Sequence, residues 1–305
     1  MTVAEGFLEA TVRSATPLAF AALGELIAER SGVINIGLEG SIALGAFVAL
    51  LATAAFGPAT GLVAGGLAGA AVALVFATFV VTLRAQQVLA GTAVSLLGLG
   101  LAAALHRISM VGPDAVSQVV TIPVVAIPVF SQIPLVGPAL FAQPLTTYAL
   151  YLLFPAAWFC LYRTVGGVVL RATGENPEAA HASGHSPDAV RFGAVVVGGF
   201  FAGIGGATLV VAQVGTFSDG MSAGRGFVAI AIVALGRWHP GGVAVGALVF
   251  GAVSALQFLA QSLGWSVSYN LLLAFPYLLT LIAMAAFGGA RVSPAALGRE
   301  TAQRH

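Results

Sequence analysis

The chain has no lysine and only one cysteine, and it carries very little charge of either sign: 8% of its 305 residues are charged and all twelve basic ones are arginine. Each shortage excludes something. A Walker A loop needs a lysine to reach the β- and γ-phosphates, so this chain cannot hydrolyse ATP that way. A retinal-type Schiff base needs a lysine amine, so a light-driven pump of that kind is excluded. Cys160 alone can form neither an internal disulfide nor a cysteine metal cluster. It lies in an apolar run and reads as a small buried hydrophobe. A soluble domain needs about a quarter of its residues charged to cover a water-facing surface. The solvent here is therefore lipid. The N-terminus opens with Glu5 and Glu9, without the basic region of a cleaved signal peptide. The net charge of +1 says nothing about nucleic acid or acidic partners.

What is present is apolar length: 59% of residues are hydrophobic. A crossing takes about 20 apolar residues, which leaves room for eight to ten crossings and little else. The runs place spans at 15–28, 33–56, 59–82, 86–106, 144–162, 193–213, 226–238, 241–262 and 268–287, about nine in all. The second opens on glycines and an asparagine and the seventh is short, so either can be broken or re-entrant. The fold class is all-α: a polytopic transmembrane helical bundle forming one domain over 1–305. Residues 2–13 carry Glu5, Glu9 and Arg13 four apart, the mark of a short interfacial helix before the first span. With the N-terminus outside and the C-terminus inside, Arg30, Arg84, Arg163, Arg171, Arg191, Arg237, Arg291, Arg299 and Arg304 are cytoplasmic. Only Arg13, Arg107 and Arg225 then lie outside, as the positive-inside rule asks. Thirty-nine glycines include the spaced sets Gly61, Gly65 and Gly69; Gly199 and Gly203; and Gly242 and Gly246. Such faces let helices pack closely in lipid. Trp158, Trp238 and Trp265 fall near span ends, as an interfacial belt would have them.

Two connections are long. Residues 107–143 hold five prolines and predict an irregular extracytoplasmic loop. Residues 163–192 lie on the cytoplasmic side. There Asn176 suits an N-cap, Pro177 the first helical position, Glu178 the helix dipole and Gly184 the C′ position. A two-turn helix over about 177–183 follows. Ser186-Pro187-Asp188 repeats the start signal for the next span. His181 and His185 are four apart, but the helix ends between them and no third ligand is evident, so they read as a solvated pair. No nucleophile–base set or H-E-x-x-H signature occurs.

Gly174-Glu175-Asn176-Pro177-Glu178-Ala179-Ala180, then Gly184, resembles the EAA-type loop of ABC importer permeases. In that family this helix docks on the ATPase subunit and transmits its closure. The longer motif ends in Ile-x-Leu-Pro; here Ala194–Val197 stands instead, a variant typical of the branched-chain amino acid, simple sugar and nucleoside permeases. Glu29-Arg30-Ser31-Gly32-Val33-Ile34-Asn35-Ile36-Gly37-Leu38-Glu39-Gly40 resembles the subgroup importing nucleosides, and the similarity runs on through Thr16-Pro17-Leu18, Gly45-Ala46-Phe47 and the glycine-rich stretch at 198–206. The resemblance implies a transport subunit without enzymatic activity or cofactor of its own, ATP and Mg being held by a partner ABC ATPase. It further implies a second, different permease subunit, an extracytoplasmic substrate-binding lipoprotein, and a bacterial plasma membrane setting.

Within the apolar runs the polar residues are the candidates for the translocation path or gate. These are Asn35, Gly37 and Glu39 in a segment that reads as a hinge, Gln86, Gln87 and Thr92 at the head of the fourth span, and Asn270 in the ninth. The competing reading makes Glu29, Arg30 and Glu39 an ion-pair cluster and the others interhelical bonds. A simple sugar or branched-chain amino acid permease is the alternative within the family. An ion-driven secondary transporter is the alternative of another class. It asks for an ionisable residue at mid-membrane, whereas every acidic residue here reads as lying near a span end.

Overall fold

The computed structural model describes residues 2–109, 118–262, 274–275, 278, 280–282 and 293–298. Eleven α-helices occur among them. The first, α1 (Val3–Arg30), is continuous. The expected interfacial helix at 2–13 is simply its first turns, because the Thr2 and Glu5 capping box starts it and nothing interrupts it. Glu9 and Arg13 pair as expected, at 2.8 Å. α2 (Leu38–Phe56), α3 (Pro58–Ala77, continued by a π turn to Thr82), α4 (Gln87–Ser109), α6 (Leu145–Arg163), α9 (Pro187–Thr208, continued by a π turn to Val214) and α11 (Pro240–Ser262) are long and apolar enough to cross a membrane. α5 (Gly137–Phe141) is a single turn, α7 (Val165–Glu175) and α8 (Pro177–Ala182) fill the loop after α6, and α10 (Arg225–Leu235) is too short to cross. The ninth expected span, 268–287, lies largely outside the described residues, as do Asn270 and Trp265.

Between α4 and α6 a two-stranded antiparallel pair, Val124–Ala126 with Ala142–Pro144, brackets a 3₁₀ turn and α5. The prolines keep this segment irregular, as expected.

Glycine decides the packing. A Cβ on Gly45 would lie 2.7 Å from Gly203 Cα, and one on Gly65 would lie 2.7 Å from Gly45 O. Gly24 similarly meets Gly198, which seats α9 against α1. The predicted glycine faces of α3, α9 and α11 are thus the faces in contact, on α2 and α9, α3, and α10 respectively. Pro17 lies inside α1 and cannot donate to the Arg13 carbonyl one turn back. Gln213, in the π turn after α9, donates its side-chain amide to that carbonyl at 2.6 Å. The amide thus answers a group the proline would otherwise strand in lipid. Cys160 is exposed rather than buried, because α6 turns much of its apolar surface outward, with Tyr151, Leu152, Trp158 and Phe159 exposed beside it.

Candidate functional site

The chain passes from α1 to α2 through a linker that folds back on α1. The Asn35 amide donates to Glu25 Oε1 at 2.9 Å, so the linker turns back beside α1, more than a turn inside its end. The rest of the linker is pinned as firmly. The Ile34 amide donates to Gln87 Oε1 at 3.0 Å, Ser95 Oγ to the Ile36 carbonyl at 2.7 Å, and Arg191 Nε to the Ser31 carbonyl at 3.2 Å. Gly32 has φ +98, which only glycine adopts readily. Irregular backbone at depth is tolerated when protein satisfies it, and here side chains from α1, α4 and α9 do so. The segment is a buried, bonded knot rather than a loose hinge.

The knot sets where α2 begins. Its N-cap is Gly37, with no side-chain cap; Asn35 acts through its backbone, and its buried side-chain amide finds no partner among the described residues. A Cβ on Gly98, halfway along α4, would lie 2.6 Å from Gly40 Cα. Glu39 is the second residue of α2, near that span's start as expected, and it lies level with the middle of α4. It is 4% exposed, and its two oxygens accept from the Gly224 and Gly226 amides at 2.8 and 2.7 Å. Those amides open α10, so this short helix begins level with the middle of α4, with a carboxylate on its positive end. Both oxygens of the Glu39 carboxylate are thus committed to capping α10.

The ion-pair reading of Glu29, Arg30 and Glu39 fails in detail. Glu29 accepts from Trp238 Nε1, while Arg30 donates to the Trp238 carbonyl at 2.7 Å and to Tyr162 Oη at 3.1 Å. Trp238 is therefore fastened to α1, while Trp158 is exposed with Arg163 5.6 Å above its ring. Of the other polar candidates, Gln87 joins the knot. Gln86 is exposed, and Thr92 is exposed with its hydroxyl on the Val88 carbonyl of its own helix. Sequence reasoning did not single out Glu25, Ser95 or Arg191. The four-residue spacing of Glu25 and Glu29 within an apolar run was the available signal.

The connection between α6 and α9 carries α8 as expected, one residue shorter than 177–183. Asn176 Oδ1 accepts from the Ala179 amide at 3.0 Å, Pro177 is the first helical residue, and Gly184 has φ +83. Glu178, His181 and His185 are exposed, Ala180 is buried, and Ser186 caps α9. No group of three metal-binding side chains occurs among the described residues. The unexpected element is α7, which brings Gly174 against the knot: a Cβ there would lie 3.3 Å from the Gly32 amide and closer still to the Arg30 carbonyl. The turn at 293–298 closes the contact. The Ala296 amide donates to the Gly174 carbonyl at 2.8 Å, the Ala295 amide to Glu175 Oε2 at 3.3 Å, and the Gly298 amide to the Gly32 carbonyl at 3.3 Å. A continuous bonded path thus joins α8, α7, the knot, Glu39 and the start of α10.

Known proteins share this chain's pattern. A family model described as "Branched-chain amino acid transport system / permease component" matches residues 7–286. A putative glucose ABC transporter permease protein of Haloferax volcanii is 39% identical over 90% of this chain and 83% of its own length. The guanosine ABC transporter permease protein of Bacillus subtilis is 34% identical over 95% of this chain and 94% of its own. The nucleoside ABC transporter permease protein of Lactococcus lactis is 33% identical over 93% and 92%. No solved structure matches. The chain belongs to the branched-chain amino acid transport system permease family and is a multi-pass membrane permease subunit of an ABC transporter.

Proposed function

We propose that this subunit imports nucleosides or related ribosyl compounds, driven by a separate ATPase. The observation that carries the reading is the bonded path from α8 to α10. A short, capped, exposed helix is joined to a buried knot that fixes two membrane helices, which is the arrangement a driven subunit needs. In this reading Gly174, Glu175, Asn176, Pro177, Glu178, Ala179, Ala180 and Gly184 form the ATPase-coupling element within the loop 163–192. The ATPase seats on α8 and holds ATP and Mg. Its closure moves α7 through Gly174 against Gly32, and the displacement reaches α2 and α10 through the Glu39 cap. Asn35, Gly37, Glu39 and Gln87 act as gate supports. The whole chain, 1–305, works as one permease domain with about nine crossings, the N-terminus outside and the Arg30 end of α1 in the cytoplasm. A second, different permease subunit completes the path, and a lipoprotein delivers solute onto the 107–143 side.

The near full-length match to a guanosine and a nucleoside permease favours the ribosyl class. The higher identity to a putative glucose permease favours simple sugars as the second reading. Reconstitution with the ATPase, the second permease and the receptor tests both. ATP-dependent uptake of labelled guanosine is expected. ATP-dependent uptake of glucose alone would transfer the assignment to sugars, and ion-driven uptake without an ATPase would refute the reading. Cysteines introduced at 181 and 120 should react from inside and outside respectively, and the reverse would refute the orientation.

A further inference from the structure

We propose that the groove beside Cys160, between α1, α6 and α7, binds an acidic phospholipid, with an acyl chain in the groove and the phosphate on Arg163 and Arg171. The proposal goes beyond the transport reading and stands whichever solute is carried.

Missing side chains make the groove. Its volume is about 260 Å³; α1 and α6 contribute Ile27, Ala157 and Cys160, and α7 contributes Gly166, Gly167 and Leu170. Thr164 caps α7 by accepting from the Gly167 amide at 3.1 Å. Gly167 lets α7 fold back onto the end of α6, because a Cβ there would lie 2.5 Å from the Leu161 carbonyl oxygen. Gly166 leaves the wall open: the nearest atom to a Cβ there is Thr164 Oγ1, at 4.0 Å. The polar groups beside the groove are already used. Thr164 donates its hydroxyl to the Cys160 carbonyl at 2.6 Å, and Arg171 Nε donates to the Leu161 carbonyl at 3.0 Å. A hydroxyl-bearing occupant would be left without partners, so the groove suits a hydrocarbon chain.

Charge decides the headgroup. Arg163 is the last residue of α6, which is long and apolar enough to cross a membrane. Ala157 lies about 9 Å further in along the helix at 1.5 Å per residue. The groove therefore runs from a span end into the apolar layer, as an acyl chain does. Both arginines adjoin it: Arg163 precedes Thr164, and Arg171 follows Leu170 and bonds the carbonyl of Leu161, all three of them lining residues. Among the described residues neither arginine has a carboxylate partner. Aromatic faces hold them instead, with Arg163 5.6 Å from the Trp158 ring centre and Arg171 4.7 Å from that of Tyr162. A guanidinium has five N–H donors, and its planar fork matches phosphate oxygens. Two unpaired cations beside an apolar groove fit an amphiphile with an anionic headgroup, as basic pockets between membrane helices do. The lipid bridges α6 to α7, the helix that carries Gly174.

The test titrates the purified full-length subunit, in an uncharged detergent, with phosphatidylglycerol or phosphatidylcholine of the same acyl chains. Native mass spectrometry counts the retained lipid. Each arginine facing an anionic headgroup contributes about fivefold in affinity. Phosphatidylglycerol should therefore be held about tenfold more tightly than phosphatidylcholine, or better; equal retention overturns the proposal. Arg163→Gln and Arg171→Gln should each weaken phosphatidylglycerol about fivefold and leave phosphatidylcholine unchanged. Arg163 is exposed and makes no bond to the Leu161 carbonyl, so its variant carries the test even if Arg171→Gln fails to fold. Gly166→Leu fills the groove from an open position without altering charge, and should weaken phosphatidylglycerol by about the same factor. Undiminished phosphatidylglycerol binding in Arg163→Gln or in Gly166→Leu overturns the proposal. Loss of the second permease subunit from the Gly166→Leu complex, with lipid retention unchanged, also overturns it and makes this face a subunit interface.

Discussion

Replacing Glu39 by glutamine separates a helix cap from a proton or ion relay. The carboxylate is 4% exposed and accepts two amide bonds at the start of α10. Hydrogen bonds to a charged group contribute about 1.5–3 kcal/mol each, and a charge at a helix N-terminus adds up to about 2 kcal/mol in a partly buried site. In a membrane the unfolded chain also finds polar partners, which favours the low end. Glutamine keeps one acceptor but turns an NH₂ toward an amide N–H. Glu39→Gln should therefore destabilise the subunit by about 2 kcal/mol, and Glu39→Ala by about 3–4 kcal/mol. Gly226→Ala disturbs the same contact from the other side, because its Cβ would lie 2.5 Å from the Glu39 amide. The double variant Glu39→Gln with Gly226→Ala should cost clearly less than the sum of the two, as residues sharing one interaction do. Reversible unfolding of the detergent-solubilised subunit in mixed SDS micelles reads all four. A change under about 0.5 kcal/mol for Glu39→Gln, together with lost transport, would refute the cap and restore the relay.

Further outcomes follow from other contacts. Gln213→Leu should cost about 1–3 kcal/mol by stranding the Arg13 carbonyl, and Pro17→Ala in the same chain should recover part of it; the same unfolding assay checks both. Gly184→Val strains a left-handed position by about 1–2 kcal/mol, and Glu178→Arg alters an exposed side chain, so both should uncouple ATP hydrolysis from uptake while the purified subunit stays folded. Ending the chain after Val292 removes the bonds of Ala295, Ala296 and Gly298 to Glu175, Gly174 and Gly32, and should lower uptake at unchanged membrane abundance, measured by immunoblot beside transport.

Local signals were the legible ones. The caps of α8 follow from Asn176, Pro177 and Gly184 because a cap is satisfied within a few residues, and the glycine faces of α3 and α9 follow from helical spacing alone. The late start of α2 was not legible, because it depends on Glu25, Gln87, Ser95 and Arg191 answering linker groups from three other helices. An apolar run does not show where its helix begins, so residues 33–37 read as part of the second span. α7 was hidden because its glycines, Gly166, Gly167 and Gly174, resemble loop residues; Gly167 and Gly174 serve close approaches to α6 and to the linker.

The knot between α1 and α2 also carries an order of events. Three of its four side-chain partners are synthesised after it: Gln87 follows Ile34 by 53 residues, Ser95 follows Ile36 by 59, and Arg191 follows Ser31 by 160. When α1 and α2 leave the ribosome, these linker groups have only water or headgroups to bond. They cannot sink to the depth of Glu25 until α4 and α9 arrive. The seating of α2, and with it the docking of α10 on Glu39, is therefore a late step of assembly, completed only after most of the bundle is in the bilayer.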